Sequence, residues 1–398
     1  MIDRARGALQ RFALGAFVVG LAVSISLAEV SLVVLLVTVV WPSRERPPVR
    51  LPLIVPIGGF AVWTIVSALA SARPSESLLA AKTLLTLGTF YVVLHALRDR
   101  GDASRLADLL FVLTAAVAAL SIVQVAACPA APPDVPVLRQ FLRRCDRAHG
   151  FYSIYMTLAG VLTLVLLSAL PRIARSSRAL AFGGPAWLVG ALALALTYVR
   201  GAWLGFAAGA VGSMLAWRRR SFAVAVLAVA IVALALVLPG VMKRVRSIGD
   251  PSDPTARDRL AMLHGGLRMA GDHPWLGTGV GQVKVLYPAY APPDARRRST
   301  SHLHDTPLQI LVERGAVGLA LWLAIFAEFF VRASRVLSRL APTETGDRAL
   351  VLGVLAAVGG FLIAGLFEYN FGDTEVLLVA CTLMALPFVI DRDRDLAV

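Results

Sequence analysis

Four of the six histidines in this chain, His264, His273, His302 and His304, fall between Pro239 and Val317, the one long polar interruption of an otherwise apolar sequence. The sharpest local pattern there is Ser301-His302-Leu303-His304-Asp305-Thr306-Pro307-Leu308-Gln309. Thr306 and Gln309 have the spacing of a capping box, with Pro307 at the first helical position, so a helix is expected to open here with His304 just ahead of it. The positive end of a helix dipole disfavours imidazolium and attracts phosphate, a setting for a neutral base beside an anionic group. A histidine pair can also bind zinc. Against that stand the missing HExxH or cysteine ligands and a segment with more arginines than acids, a balance suited to an anion. The bland alternative is two solvated histidines beside a helix cap.

Other residues in the chain carry the same kind of signal. Arg200 interrupts Thr197-Tyr198-Val199-Arg200-Gly201-Ala202-Trp203, a tight break between two apolar runs where a charge is expensive unless it snorkels or has a task. The stretch from Ala256 to Ala270, punctuated by Pro254 and Gly271, reads as an amphipathic helix with Leu260, Leu263, Leu267 and Ala270 on the buried stripe and Arg259 free to face a cleft. An interfacial helix whose arginines meet water or headgroups would look the same. The Gly277-Thr278-Gly279-Val280-Gly281 run has no strand before it and no helix opening from it, so it reads as a tight turn rather than a dinucleotide fingerprint.

The elements that must position these residues are membrane helices. A chain of 398 residues that is 58% hydrophobic and 16% charged lies outside the range of soluble globular domains. Its net charge of +14 is dispersed in short loops, which is the pattern of topology determinants and not of a nucleic-acid surface. Twelve apolar runs, at about 9–25, 27–41, 52–70, 77–97, 106–127, 151–170, 185–199, 202–217, 222–240, 307–331, 349–369 and 374–390, predict an all-α polytopic protein. The runs are too long and too uniformly apolar for the alternation of a membrane barrel. Ser26-Leu27-Ala28 offers a small-x-small cleavage pattern, but the second run follows so closely that an uncleaved helix pair is the expectation.

With the N-terminus in the cytoplasm, the arginines at 44, 46 and 50, at 98, 100 and 105, at 172, 175 and 178, at 218–220 and at 332, 335, 339 and 348 all fall on the cytoplasmic side. Both termini are then cytoplasmic, and residues 1–398 form one membrane domain with a large outer loop, 239–306, between the ninth and tenth spans. Two outer loops break the charge rule. One holds Arg139, Arg143, Arg144 and Arg147 together with Cys128 and Cys145, a pair that can either bond or stay reduced. The other is the long loop itself. Positive charge kept on the wrong face points to an anionic ligand.

Taken together, the Thr197 to Leu204 motif, Arg259 followed by His273-Pro274-Trp275-Leu276-Gly277-Thr278-Gly279, and His302-Leu303-His304-Asp305 followed by Leu308 to Leu319 resemble the O-antigen ligase and polymerase superfamily. Asp305 stands where that family usually has Asn, Val199 where Ser is common, and His264 near where Trp is usual. The resemblance implies a bacterial inner-membrane glycosyltransferase of lipopolysaccharide biosynthesis with its site in the periplasm. It would move a glycan from undecaprenyl diphosphate to a sugar hydroxyl of a lipid A core, inverting the anomeric centre without metal or other cofactor. In that frame His304 is the base that deprotonates the acceptor. Arg200 and Arg259 hold the diphosphate, with Arg257 and His302 as further contacts. The alternatives are a polymerase of the same superfamily and, from a different class, a lipid-linked glycan flippase, whose sign would be ionisable residues deep within helices; Lys82, His95, Glu328 and Glu368 are the few candidates.

Overall fold

The computed structural model describes residues 2–41, 50–129, 134, 141–142, 145–216, 254–293 and 295–397. Every regular element among these is helical: α1 (Ile2–Val23), α2 (Ile25–Val40), α3 (Ile54–Leu69), α4 (Pro74–Ala80), α5 (Leu84–Leu87), α6 (Thr89–Ala96), α7 (Arg100–Ala126), α8 (Tyr155–Ile173), α9 (Ser177–Leu196), α10 (Arg200–Leu215), α11 (Pro254–Asp272), α12 (Val283–Tyr290), α13 (Thr306–Arg339), α14 (Thr345–Gly365) and α15 (Thr374–Ala397), with single 3₁₀ turns at Ala81–Thr83 and Asn370–Gly372. Eleven of the twelve apolar runs coincide with these helices, and the run at 222–240 lies outside the described residues. Eight helical segments are long and apolar enough to cross a membrane. The protein is therefore a multi-pass membrane protein, and eight of the twelve expected spans have that length and composition among the described residues. The α2, α3 and α10 helices have 16 residues each, which at 1.5 Å per residue is ~24 Å against a hydrocarbon core of ~30 Å.

One end of the bundle is tied by ion pairs. Arg100 reaches Glu344 at 3.1 Å, Asp347 at 3.3 Å and Asp393 at 3.3 Å; Arg172 meets Asp108 at 2.7 Å, and Arg339 meets Asp391 at 3.5 Å. The exposed pairs among these contribute ~0–1 kcal/mol each, so their value lies in showing which loops share a side. The loops joined are those that the charge bias groups together.

The α10–α14 contact fixes the opposite end. Gly205 and Gly209 stand four residues apart on α10, and a Cβ at either would lie 2.3 Å from Gly360 O or 2.7 Å from Ala356 O. Small residues at this spacing let two backbones approach closely in a membrane. That approach sets Arg200, the first residue of α10, beside the end of α14 and the Glu368 that follows it.

The α11 helix exists, but its buried face is not the leucine stripe. Met262, Gly265, Gly266 and Met269 are buried, whereas Leu260, Leu263 and Leu267 are 53%, 38% and 51% exposed. The two glycines decide this. A Cβ at Gly265 would come within 2.9 Å of Tyr287, and one at Gly266 within 2.8 Å of Leu303 and 2.7 Å of Leu308, so the small-residue face is the one that can dock. Together with α12 and the start of α13 this face forms a small second core of Met262, Met269, Val283, Tyr287, Leu303 and Leu308.

The α13 helix is broken at Gly315, whose φ of 67° and ψ of −175° are open only to glycine. The chain from His273 to Gly281 lies across the break. Thr278 N donates to Val312 O at 2.8 Å, Gly279 N to Glu313 O at 3.0 Å, and Ala316 N to Pro274 O at 2.8 Å. Backbone groups freed by the break are thereby satisfied, as they must be at membrane depth. This is the work of the glycine run, whose Gly277, Gly279 and Gly281 have φ of 72°, 94° and 74°.

Candidate active site

A cavity of about 380 Å³ opens where the ends of α8, α10, α11 and α14 meet the start of α13. Five arginines line it, Arg147, Arg200, Arg259, Arg296 and Arg297, against two carboxylates, Asp258 and Glu368, with His304 beside them. Arg200, Arg259 and His304 come from three separate stretches of chain and converge here.

Glu368 is the hub. Its Oε1 accepts from Arg259 Nη2, and its Oε2 lies 3.0 Å from His304 Nδ1. A carboxylate only accepts hydrogen bonds, so Nδ1 carries a proton and Nε2 is the ring nitrogen turned away from Glu368. The bond to the carboxylate fixes the orientation of the His304 ring. His304 also has a left-handed backbone, φ 53°, as does Tyr198 on the cavity wall, φ 56°. Conformations of this kind outside glycine gather at sites where the surroundings over-determine them.

The helix that follows His304 opens one residue earlier than the capping-box spacing predicts. Asp305 is its N-cap, accepting from Leu308 N at 2.8 Å. Thr306 is not the cap, because its hydroxyl is bound between Glu368 O at 2.8 Å and Asn370 Oδ1 at 3.0 Å. Gln309 accepts from Leu303 N at 2.8 Å and donates to Glu313 at 2.8 Å. The Thr306 bonds tie the base of α13 to the turn after α14, which holds His304 and Glu368 in register. Asp305 is raised above the usual carboxylate range by burial, partly offset by its bond from Leu308 N.

Arg200 stands at the first position of α10, and Tyr198 and Val199, the residues before it, also line the cavity. The N-terminal end of this helix thus faces the arginines' side of the site, adding its positive partial charge. Arg257, two residues from Arg259, is exposed and is not part of the lining. His302 stacks edge-on against His304 with ring centroids 4.3 Å apart, and it points toward Tyr369 instead of lining the cavity. Burial, with His304 adding to it, lowers the His302 pKa from 6.5 to about 4. Among the described residues no group of three or more His, Cys, Asp or Glu is placed to hold a metal ion.

Two features lie beyond what the sequence alone located, and a third, Arg147, was marked there only as one of four arginines of an outer loop. Glu368 stands out there only as an acid near the end of an apolar run. Arg147 reaches the cavity because Cys145 is bonded to Cys128, with Cα atoms 5.3 Å apart; its guanidinium lies 4.4 Å from the centre of the Tyr155 ring. Arg139, Arg143 and Arg144 lie outside the described residues. The other feature that the sequence did not locate is a fully buried pair, Glu313 and Arg314, at 2.7 Å with side chains 3% and 2% exposed. Ser67 and Trp63 of α3 donate at 2.8 Å to the Glu313 and Arg314 carbonyls, and Gly281 N donates to the Glu313 carboxylate at 2.9 Å. Removing one partner of such a pair leaves a buried charge uncompensated.

No curated protein matches the chain. Residues 185–323, the stretch that supplies Arg200, Arg259, His304 and the broken start of α13, match the family model described as O-antigen ligase, whose members are glycosyltransferase-like membrane enzymes, and over that stretch the chain is similar to the superfamily that its motifs resemble.

Proposed function

We propose that the protein is an O-antigen ligase that transfers a glycan from undecaprenyl diphosphate to a sugar hydroxyl of a lipid A core. The observation that carries this reading is the convergence of Arg200, Arg259 and His304 on one basic cavity, within the stretch that matches the family. His304 Nε2 takes the proton from the acceptor hydroxyl. The acceptor oxygen attacks the sugar C1 from the face opposite the diphosphate, which departs with the bonding electrons and inverts the anomeric centre. Arg200 and Arg259 neutralise the charge that grows on the leaving phosphate, through charge-assisted hydrogen bonds in a setting partly shielded from water. Arg259 does this from α11 while paired with Glu368, so it enters the reaction already aimed.

The Cys128–Cys145 disulfide supports a periplasmic site, since such bonds persist in oxidising compartments and this one lies two residues from a cavity arginine. The ion-paired end of the bundle is then cytoplasmic, with both termini on that side. Residues 239–306 are then the outer loop of a single membrane domain, and the described part of that loop, from Pro254 on, contributes Arg259 and His304 to the site.

The test is transfer by the purified protein, with EDTA present, from an undecaprenyl-diphosphate glycan to lipid A core, followed on a gel. Core converted to a glycan-bearing form is the expected result, and Arg200→Ala or His304→Ala should lower the rate ~100-fold or more. Carrier-linked chains that lengthen while the core stays unmodified would make the protein a polymerase. Full activity in either variant would remove that residue from the mechanism.

A further inference from the structure

A second cavity, of about 1620 Å³, lies at the ion-paired end of the bundle, between α1 and α2 on one side and the α5–α7 stretch on the other. Its walls are apolar, with Leu14, Val18, Leu36, Val92 and Leu109 among them. It opens sideways past Val33, Val40 and Leu85, which are 61%, 65% and 78% exposed, on the surface that meets lipid tails. Gly7 and Gly15 of α1 line it, and a Cβ at either would meet nothing within 4 Å.

The mouth is charged and unbalanced. Arg6, Arg11, Arg98 and Arg105 line it, and Asp102 is the only carboxylate among the lining residues. Asp102 is already shared by Arg98 at 2.9 Å and Arg105 at 3.0 Å. Arg6 donates through Nη1 to Thr38 O at 3.2 Å, which holds its guanidinium at the cavity. Among the described residues no carboxylate pairs with Arg6 or Arg11, and an anion at the mouth would supply the missing acceptor. From Arg6 to Val18 the groove follows α1 for ~18 Å, close to the half-thickness of a ~30 Å hydrocarbon core.

We propose that this cavity is a binding site for an anionic glycerophospholipid of the bilayer. The acyl chains lie along the apolar walls, which water cannot solvate, and the phosphate accepts hydrogen bonds from Arg6 and Arg11. A zwitterionic headgroup would bring its own cation to a mouth that already has surplus positive charge, so the site discriminates by headgroup charge. This site stands apart from the arginine and histidine cavity and does not rest on the transfer reaction.

The experiment uses the full chain, purified in mild detergent and stripped of lipid, titrated with phosphatidylglycerol or with phosphatidylcholine of the same acyl chains. Native mass spectrometry reads bound lipid and thermal unfolding reads its effect. Phosphatidylglycerol should be retained and should raise Tm, while phosphatidylcholine should do neither. Arg6→Gln with Arg11→Gln should weaken phosphatidylglycerol binding roughly 20-fold. Gly15→Leu, which fills open space, should abolish binding while leaving the lipid-free Tm unchanged, and it decides the matter if the arginine variant does not fold. Equal responses to the two lipids, undiminished binding in Gly15→Leu, or a response confined to a polyprenyl phosphate would overturn the proposal.

Discussion

Glu368 joins a candidate base to a candidate leaving-group clamp through the two oxygens of one carboxylate. Glu368→Gln keeps the shape but offers an NH₂ where both neighbours donate, so one bond must break and His304 loses its orienting partner. Transfer should fall on the order of 100-fold, with an altered pH profile that a merely structural residue would not produce. His302 makes a different prediction. Burial and His304 hold its folded pKa near 4, against 6.5 in an open chain. As pH falls below 6.5 the unfolded chain takes up the proton first, so folded stability drops between pH 6.5 and about 4 and then levels off. The loss amounts to roughly 3 kcal/mol at most. Tm measured against pH should show this fall, and His302→Gln should flatten it. At this scale the sequence made Arg200 visible as a charge in a tight apolar break, His304 by its place just ahead of a helix start, and Arg259 through the family resemblance. Glu368 was not visible as their partner, because a shared carboxylate 64 residues from the histidine and 109 from the arginine leaves no local pattern.

The helices were legible as apolar runs, since at these lengths only a helix satisfies its own backbone in lipid. Their ends were not, because polarity marks the edge of the bilayer and not the edge of the hydrogen-bond ladder. The run at 307–331 continues as α13 to Arg339, and the run at 106–127 begins as α7 at Arg100, capped by Asp99 at 2.8 Å. The break at Gly315 was hidden for the opposite reason, since its stabilising bonds come from residues 274–279 and none of them is local. The leucine stripe misled because hydrophobicity ranks leucine above glycine, whereas close approach of α11 to Tyr287 and Leu308 needs the glycines. Spacing of Gly201, Gly205 and Gly209 is the signal for the α10–α14 seam. Gly205→Leu would drive a side chain into Gly360 O and Ala364, so Tm should fall, by about 1–3 kcal/mol of stability, and activity should fall with it as Arg200 moves away from Glu368. Gly212→Leu, with nothing within 4 Å of its Cβ, is the control and should change neither.

Over the whole molecule, charge and covalent structure divide between the two ends. The Cys128–Cys145 bond closes a separation of 17 residues and anchors the segment that delivers Arg147. Cys145→Ser should lower stability by about 3 kcal/mol and weaken transfer, with Tm and the mobility of the protein on non-reducing gels as the readouts. The sequence placed this loop on the outer side by alternation but left the bond open, because two cysteines in one loop do not reveal whether their Cβ vectors meet. The site also has an order of completion. Arg147, Arg200, Arg259 and His304 are all synthesised before Glu368, and the Thr306 hydroxyl waits for Glu368 O and Asn370. A nascent chain that has made His304 and the cavity arginines therefore still lacks the carboxylate they surround, with its cations repelling one another across the unfilled centre. The carboxylate arrives last, when the end of α14 is made, and pairs at once with Arg259 and His304 from two earlier segments.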